Sequence, residues 1–224
     1  MPNSQPRQII SRRSRPAKAP LSREVIVDTA LRLLKKDGLA GLSMRKVAAA
    51  LDTGAASLYV YVKDLDELHA LMLDRAIGKV TFADTGNWRV QLKALLMGYF
   101  QTLYKHPGLA QLALATVPSG RNAMRVMEQL LGLMAQGGIT ERNASWAVDL
   151  LLLYVTAIAA EQSLRTNQKQ VLERLAEAMD SLSADEFPLM AGMKDSLLSG
   201  GGERFNWALE VMINGVVHTT SVES

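Results

Sequence analysis

The chain has 224 residues, 48% of them hydrophobic and 21% charged, the balance of a protein with a sizeable core and a solvated surface. Cysteine is absent, which excludes a disulfide framework, thiolate metal sites and cysteine nucleophiles. Net charge is +3, but residues 1–63 hold twelve Lys/Arg against four Asp/Glu, and residues 64–224 hold thirteen against eighteen. A polyanionic partner is therefore expected for the first part only.

Residues 1–20 contain four of the seven prolines and five basic residues (Arg7, Arg12, Arg13, Arg15 and Lys18) with no acid. They read as a disordered basic arm. No apolar stretch behind these charges resembles an export signal, so a cytoplasmic location is expected. Ser22 is placed to cap a first helix in which Ile26, Ala30, Leu33 and Leu34 recur at helical spacing until Asp37-Gly38. Ser43 can cap a second, short helix that turns Val47, Ala48 and Leu51 inward. Asp52-Thr53-Gly54 is a turn, residues 55–61 form a third helix, and Asp64 caps a fourth that runs to Val80 through Leu68, Leu71 and Met72.

After a loop at 81–87, helices are expected near 88–105, 107–116, 120–136, 141–166, 168–182, 186–199 and 203–220. They are separated at His106-Pro107, Pro118-Ser119-Gly120, Gly137-Gly138, Phe187-Pro188 and Gly200-Gly201-Gly202. No run of alternating β-branched residues reads as a strand, so the fold class is all-α. The expected organisation is an arm (1–20), a three-helix head (21–66) and a larger helical domain (67–224). The longest apolar run, 150–160, falls short of the ~20 residues needed to span a bilayer, and no membrane association is expected.

Three helices closing within some forty residues, with a tight turn between the second and third, have the layout of a helix-turn-helix. Ala48 is small where two helices must cross closely. Val47, Leu51 and Leu58 are apolar where they must pack on the first helix. The third helix is short enough to enter a major groove about 12 Å wide.

The residues that carry this motif are Gly41-Leu42-Ser43-Met44-Arg45-Lys46-Val47-Ala48 and Ser57-Leu58-Tyr59-Val60-Tyr61-Val62-Lys63-Asp64-Leu65-Asp66-Glu67-Leu68. Together they resemble the tetracycline-repressor (TetR) family of bacterial regulators, closely over residues 22–72. Tyr104-Lys105-His106-Pro107, Pro118-Ser119-Gly120-Arg121-Asn122-Ala123 and Glu203-Arg204-Phe205-Asn206-Trp207-Ala208-Leu209 resemble the ligand-binding half of the same family more loosely. Asp52 is a departure, since the family often has Gly there and an acid lies close to the DNA phosphates.

The resemblance implies roles residue by residue. Ser43 and Arg45 would meet a backbone phosphate and a base edge. Thr53, Gly54, Ala55, Ala56 and Ser57 open the recognition helix, where base edges are read and alanines can meet thymine methyls. Tyr59 and Lys63 would hold phosphates, with Tyr61 divided between packing and phosphate. Plain packing is the competing role for both tyrosines, and for the arm arginines a solubilising tail stands beside insertion into the minor groove.

Chemistry for other functions is missing. His69, on an exposed-looking turn, His106 and His218 have no second ligand at helical spacing, so no metal site is expected. There is no phosphate loop and no paired Ser/His signature. No enzymatic activity and no cofactor are expected. Two alternatives stand beside the regulator: a helical protein-binding adaptor, and a DNA-binding regulator with no small-molecule effector.

The second half is rich in Leu, Met and Ala. Residues 146–164 are apolar on every side, the mark of a helix buried all round. Residues 203–220 carry two stripes, Phe205-Leu209-Met212-Val216 and Trp207-Val211, one for the core and one for a partner subunit. A homodimer through these helices is expected. By resemblance, Met97, Phe100, Tyr104, His106, Met124, Met127, Trp146, Asp149, Tyr154 and Gln162 lie on helices around a cavity for a small apolar effector. Core packing is the competing role for any one of them. Asp149, a carboxylate in an apolar helix, needs a partner or a ligand group. The function implied is a repressor that binds double-stranded operator DNA and is released by the effector.

Overall fold

The computed structural model describes residues 20–164 and 168–219, so the basic arm expected at 1–20 lies almost wholly outside the described residues. Every described element is helical. Helix α1 (Arg23–Asp37) starts where the Ser22 hydroxyl oxygen accepts the Val25 N–H at 3.3 Å, satisfying one of the orphan donors of a first turn. Its buried stripe is Ile26, Val27, Ala30 and Leu34. Helix α2 (Met44–Ala50) starts in the same way, with Ser43 accepting from Lys46 N–H at 3.3 Å, and it buries Met44, Val47 and Ala48.

Helix α3 spans only Ala55–Leu58 and continues as a turn rather than reaching Tyr61 as a helix. The Tyr61 and Val62 N–H groups both return to the Leu58 carbonyl, at 2.9 and 3.0 Å, which tightens the exit. Leu58 is fully buried and seats this short element on the head. Its truncation to Ala would cost about 2–5 kcal/mol.

Helix α4 (Leu65–Ile77) is capped by Asp64, which accepts the Glu67 N–H at 2.8 Å, while the Glu67 carboxylate accepts the Lys63 N–H. This is a reciprocal arrangement close to a capping box. The helix ends earlier than the expected Val80, because Lys79 and Val80 turn back to the Ala76 and Ile77 carbonyls. Leu68, Met72, Leu73, Ala76 and Ile77 are buried, so α4 is core to whatever lies on either side of it. It packs on α1 and also on the helices that follow.

Those helices are α5 (Trp88–Tyr104), α6 (Leu109–Ala115), α7 (Arg121–Gln136) and α8 (Glu141–Leu164). Helix α8 is long and apolar enough to cross a membrane by length and composition. Here it is the wall against which α5, α6 and α7 pack. It buries Ala144, Ala147, Val148, Leu151, Val155, Thr156, Ala159 and Ala160. In the single chain the other face of this helix lies toward solvent, at Trp146, Leu150 and Leu153, Trp146 to 67%. Apolar composition specifies burial without saying by which chain.

Helices α9 (Gln168–Asp180) and α10 (Pro188–Leu198) pack chiefly on each other and are joined by the Lys194–Asp180 ion pair. Pro188 stands at the first position of α10, where its missing N–H costs nothing. Helix α11 (Gly201–His218) starts inside the glycine triplet, with only Gly200 breaking the chain. Its buried stripe is Phe205, Leu209 and Ile213, with Met212 and Val216 at the margin, while Trp207 and Val211 are exposed. Arg89, Lys93, Glu210 and Asn214 make a polar seam between α5 and α11.

Candidate nucleic-acid interface and apolar cavity

The head presents one continuous exposed face made by the start of α2, the α2–α3 turn and the segment after α3. Arg45 and Lys46 are exposed, with no ion-pair partner among the described residues. Ser43 uses its oxygen as a cap and keeps its O–H proton to give. Thr53 is half-buried, with its N–H on the Ala48 carbonyl at 3.0 Å. Gly54 and Ala56 are exposed, whereas Ala55 and Ser57 are half-buried and Ala55 packs on the core. Tyr59 is exposed and Tyr61 packs partly on the core, so the two tyrosines separate into an outer and an inner one. The Lys63 side chain is 85% exposed.

Sequence reasoning missed Val60, which at 79% exposure is among the most solvent-facing apolar side chains of the chain. Its position between two tyrosines of the turn after α3 was the available signal. Asp52 has φ +50, the one positive value among described non-glycine residues. Asp enters the left-handed region more easily than most residues, because its short polar side chain bonds locally. That backbone geometry accounts for the glycine often seen at this place in the resembling family.

The exposed face is braced from behind. Arg23 Nε donates to the Tyr61 carbonyl at 3.0 Å, and its guanidinium lies 3.4 Å from Glu67. Asp28 on α1 pairs with Arg75 on α4 at 3.3 Å. The reading segment is thus tied to α1 and α4, and moves with them.

Helix α4 is in turn fastened to α7. The Asp74 carboxylate accepts the backbone N–H groups of Asn122 and Ala123 at 2.8 and 3.0 Å, capping α7 from another element. The Asn122 amide donates back to the Asp74 carbonyl and carboxylate at 3.1 and 3.0 Å. Gly120 is required here: a Cβ on it would lie 2.1 Å from Asp74 Cγ.

Between α5, α6, α7 and α8 lies a cavity of about 350 Å³, lined mainly by apolar side chains including Leu114, Pro118, Met127, Val148 and Leu152. Its inner end carries the Tyr99 hydroxyl, 3.4 Å from Thr156 Oγ1, which donates to the Leu152 carbonyl at 2.7 Å. Burial pushes the Tyr99 phenol above its ordinary pKa, with the Thr156 contact opposing, so it stays a neutral donor. Asp149 and Ser145 stand at the mouth. Of the sequence-predicted ligand residues, Met127 and Asp149 line this cavity. Asp149 is exposed rather than enclosed by apolar neighbours, so solvent meets the need for a partner.

The other predicted residues are dispersed. Phe100 stacks on Tyr104 at 5.6 Å and meets Phe205 at 5.0 Å, with Tyr154 stacked 5.9 Å on the far side. This cluster joins α5, α8 and α11. Met97 packs against the core and Gln162 is half-buried on α8. Met124 borders a shallow depression with Phe82 and Arg125. Trp146 lies in an outward groove of about 350 Å³ with Leu150, Met212 and Val216. His106 lines a separate cleft against α1. His69 is corrected from an exposed turn to α4, where its Nε2 is shut off from solvent and has no hydrogen-bond partner among the described residues. Among the described residues no group of His, Asp and Glu could hold a metal ion.

Comparison with known proteins matches residues 26–72 to the family described as bacterial regulatory proteins, tetR family, and residues 82–220 to the tetracyclin repressor-like C-terminal domain. The HTH-type transcriptional repressor DrrR1 of Streptomyces coeruleorubidus is 30% identical over 92% of this chain and 80% of its own length. Apo ActR from Streptomyces coelicolor is 36% identical and superposes with a TM-score of 0.82, covering 90% of this chain and 97% of ActR. ActR in complex with actinorhodin is 35% identical in the aligned region, with a TM-score of 0.83, covering 92% and 100% of the two chains. The helix-turn-helix head, with Arg45, Lys46 and Lys63 exposed on its outer face, and these matches have one reading: the chain belongs to the TetR family and is a DNA-binding transcriptional regulator.

Proposed function

We propose that this regulator is a cytoplasmic repressor that binds a partly palindromic operator as a twofold homodimer. A small apolar molecule taken up between α5, α6, α7 and α8 releases it. The observation that carries the reading is continuity. Pro118 and Met127 stand in the cavity wall, and between them the first turn of α7 holds Asp74 of α4. A ligand that displaces this wall pulls on α4, to which Arg75–Asp28 and Arg23–Glu67 tie α1 and the reading segment.

On the DNA side the reading assigns Ser43, Arg45, Tyr59 and Lys63 to phosphates, and Thr53, Gly54, Ala55, Ala56 and Ser57 to base edges, with Tyr61 mainly structural. Val60 joins them as an apolar contact. Dimerisation is supported by the outward apolar face of α8 and α11, where Trp146, Leu150, Leu153, Trp207 and Val211 are all exposed. Trp146 and Leu150 share one groove with Met212 and Val216 of α11, and soluble monomers rarely leave so many large apolar side chains uncovered. An isologous twofold contact covers them on both copies at once. ActR, solved with actinorhodin, supports a sensing role for the homologous domain.

The energetics are within reach. Emptying a nearly full operator requires about 5.5 kcal/mol of differential affinity, which two cavities per dimer share. The test is a salt series of duplex binding, using a sequence selected by the protein from random DNA, with and without molecules found to bind the cavity. A steep salt dependence and ligand-induced release are expected. Ligand binding that leaves duplex affinity unchanged favours a DNA-binding regulator without an effector.

A further inference from the structure

A further hollow lies outside the main cavity, at the joint between the DNA-reading head and the rest of the chain. It is a cleft of about 160 Å³ among α1, the end of α4 and the α5–α6 corner. Leu34 and Ala76 form its buried apolar floor, Leu31 and the exposed Pro107 flank it, and Lys35, Lys79 and His106 stand at its rim. The corner is pressed onto α1: Gly108 adopts φ +82, and a Cβ there would stand 2.8 Å from Leu34 Cδ1.

The electrostatics are one-sided. Lys35 and Lys79 are exposed and have no ion-pair partner among the described residues, and no acid lines the cleft. The neighbouring Arg32 also borders it, with its guanidinium donating to Thr29 Oγ1 at 2.8 Å. The His106 ring has no hydrogen-bond partner among the described residues. Burial, and then the nearby Lys79, Lys35 and Lys105, hold its pKa below the ordinary histidine value. Uncompensated positive charge beside an apolar floor matches an anion with an apolar body. Size narrows the class, since an apolar cavity of about 150 Å³ accommodates benzene.

We propose that this cleft is a second small-molecule site, for an organic monocarboxylate with a benzene-sized apolar body, and that its occupant fixes the head against the α5–α6 corner. The apolar body rests on Leu34, Ala76 and Pro107, and the carboxylate lies between Lys35 and Lys79 with His106 as a further donor. Because the occupant touches α1 and the corner together, it binds one head orientation better than others and so shifts DNA affinity. The site is independent of the apolar effector proposed for the main cavity.

The experiment is calorimetric titration of the full-length protein with benzoate, with benzylamine as the same ring of opposite charge, and with acetate as the charge without the ring. Benzoate is expected to bind once per chain, with benzylamine and acetate at least ~tenfold weaker, a difference of about 1.4 kcal/mol. Lys35→Gln and Lys79→Gln, both exposed and safe for folding, should each weaken benzoate about threefold, in the range of an exposed ion pair. Bound benzoate should raise the NMR titration midpoint of His106, offsetting Lys35, Lys79 and Lys105. Saturating benzoate should change affinity for a selected duplex, and the duplex should change benzoate affinity by the same factor. Ala113→Trp, which fills the main cavity, should leave benzoate binding intact. Equal binding of benzoate and benzylamine, unchanged benzoate affinity in both lysine variants, loss of benzoate in Ala113→Trp, or unchanged duplex affinity would each overturn the assignment.

Discussion

The Asp74 carboxylate, in the last turn of α4, accepts the Asn122 N–H at the start of α7 at 2.8 Å, so the helix that leaves the head caps the helix that walls the cavity. Asp74→Ala removes the cap and leaves two α7 donors without their partner. A loss of about 1–2 kcal/mol is expected. Gly120→Ala should cost more, because its new Cβ meets the Asp74 side chain. The double variant should lose less than the sum, since removing Asp74 Cγ relieves part of that clash. Urea unfolding of the four proteins reads all three numbers.

On DNA, Lys63→Ala should weaken every duplex alike and lower the salt slope by about one, the signature of one lost phosphate contact. Ala56→Ser and Val60→Ser should instead change which sequences are preferred, because these exposed small and apolar side chains stand where base edges pass. Selection from random duplexes separates the two kinds of change.

The head was the legible part of this chain because its signals are local. Ser22, Ser43 and Asp64 each cap a helix with their own side chain, and each announces itself by residue type and by the apolar pattern that follows. The cavity was less legible because its walls come from four helices distant in sequence. Met127 and Asp149 meet there, while Trp146, nearly one turn before Asp149 on the same helix, falls in the neighbouring groove with Leu150 and Met212. The family resemblance puts His106 among the cavity residues, but the corner turns it toward α1. Leu209 and Trp207 show the same limit on α11: both are apolar, yet one is fully buried and the other 68% exposed.

That difference makes assembly testable without confusing it with folding. Trp207→Asp and Leu150→Asp alter exposed positions, and should give helical monomers that bind operator weakly. Leu209→Asp places a carboxylate in the core and should unfold the chain. Sedimentation with circular dichroism distinguishes the two. Wild-type protein sedimenting as a monomer at micromolar concentration would contradict the dimer.

Acid should destabilise the protein through His69. Its burial on α4 lowers the pKa, against a weaker opposing pull from Asp66. The folded state therefore binds a proton less readily than the unfolded chain, whose histidine titrates near 6.5. Stability should be full above that value and fall as pH drops through it, where the unfolded state takes up the proton first. His69→Leu should flatten this part of the profile, measured as urea midpoints between pH 7.5 and 5.5 (about one unit either side of the histidine value).

Under the proposed function, the cavity and the operator are coupled through α7 and α4. The direct measurement takes a small apolar molecule whose binding is abolished by Ala113→Trp, and titrates it into the wild-type protein with and without saturating operator. The account predicts that operator weakens the ligand, that ligand weakens the operator by the same factor, and that Asp74→Ala reduces that factor while both sites still bind. Equal ligand affinity with and without operator would show two uncoupled sites, and would contradict it.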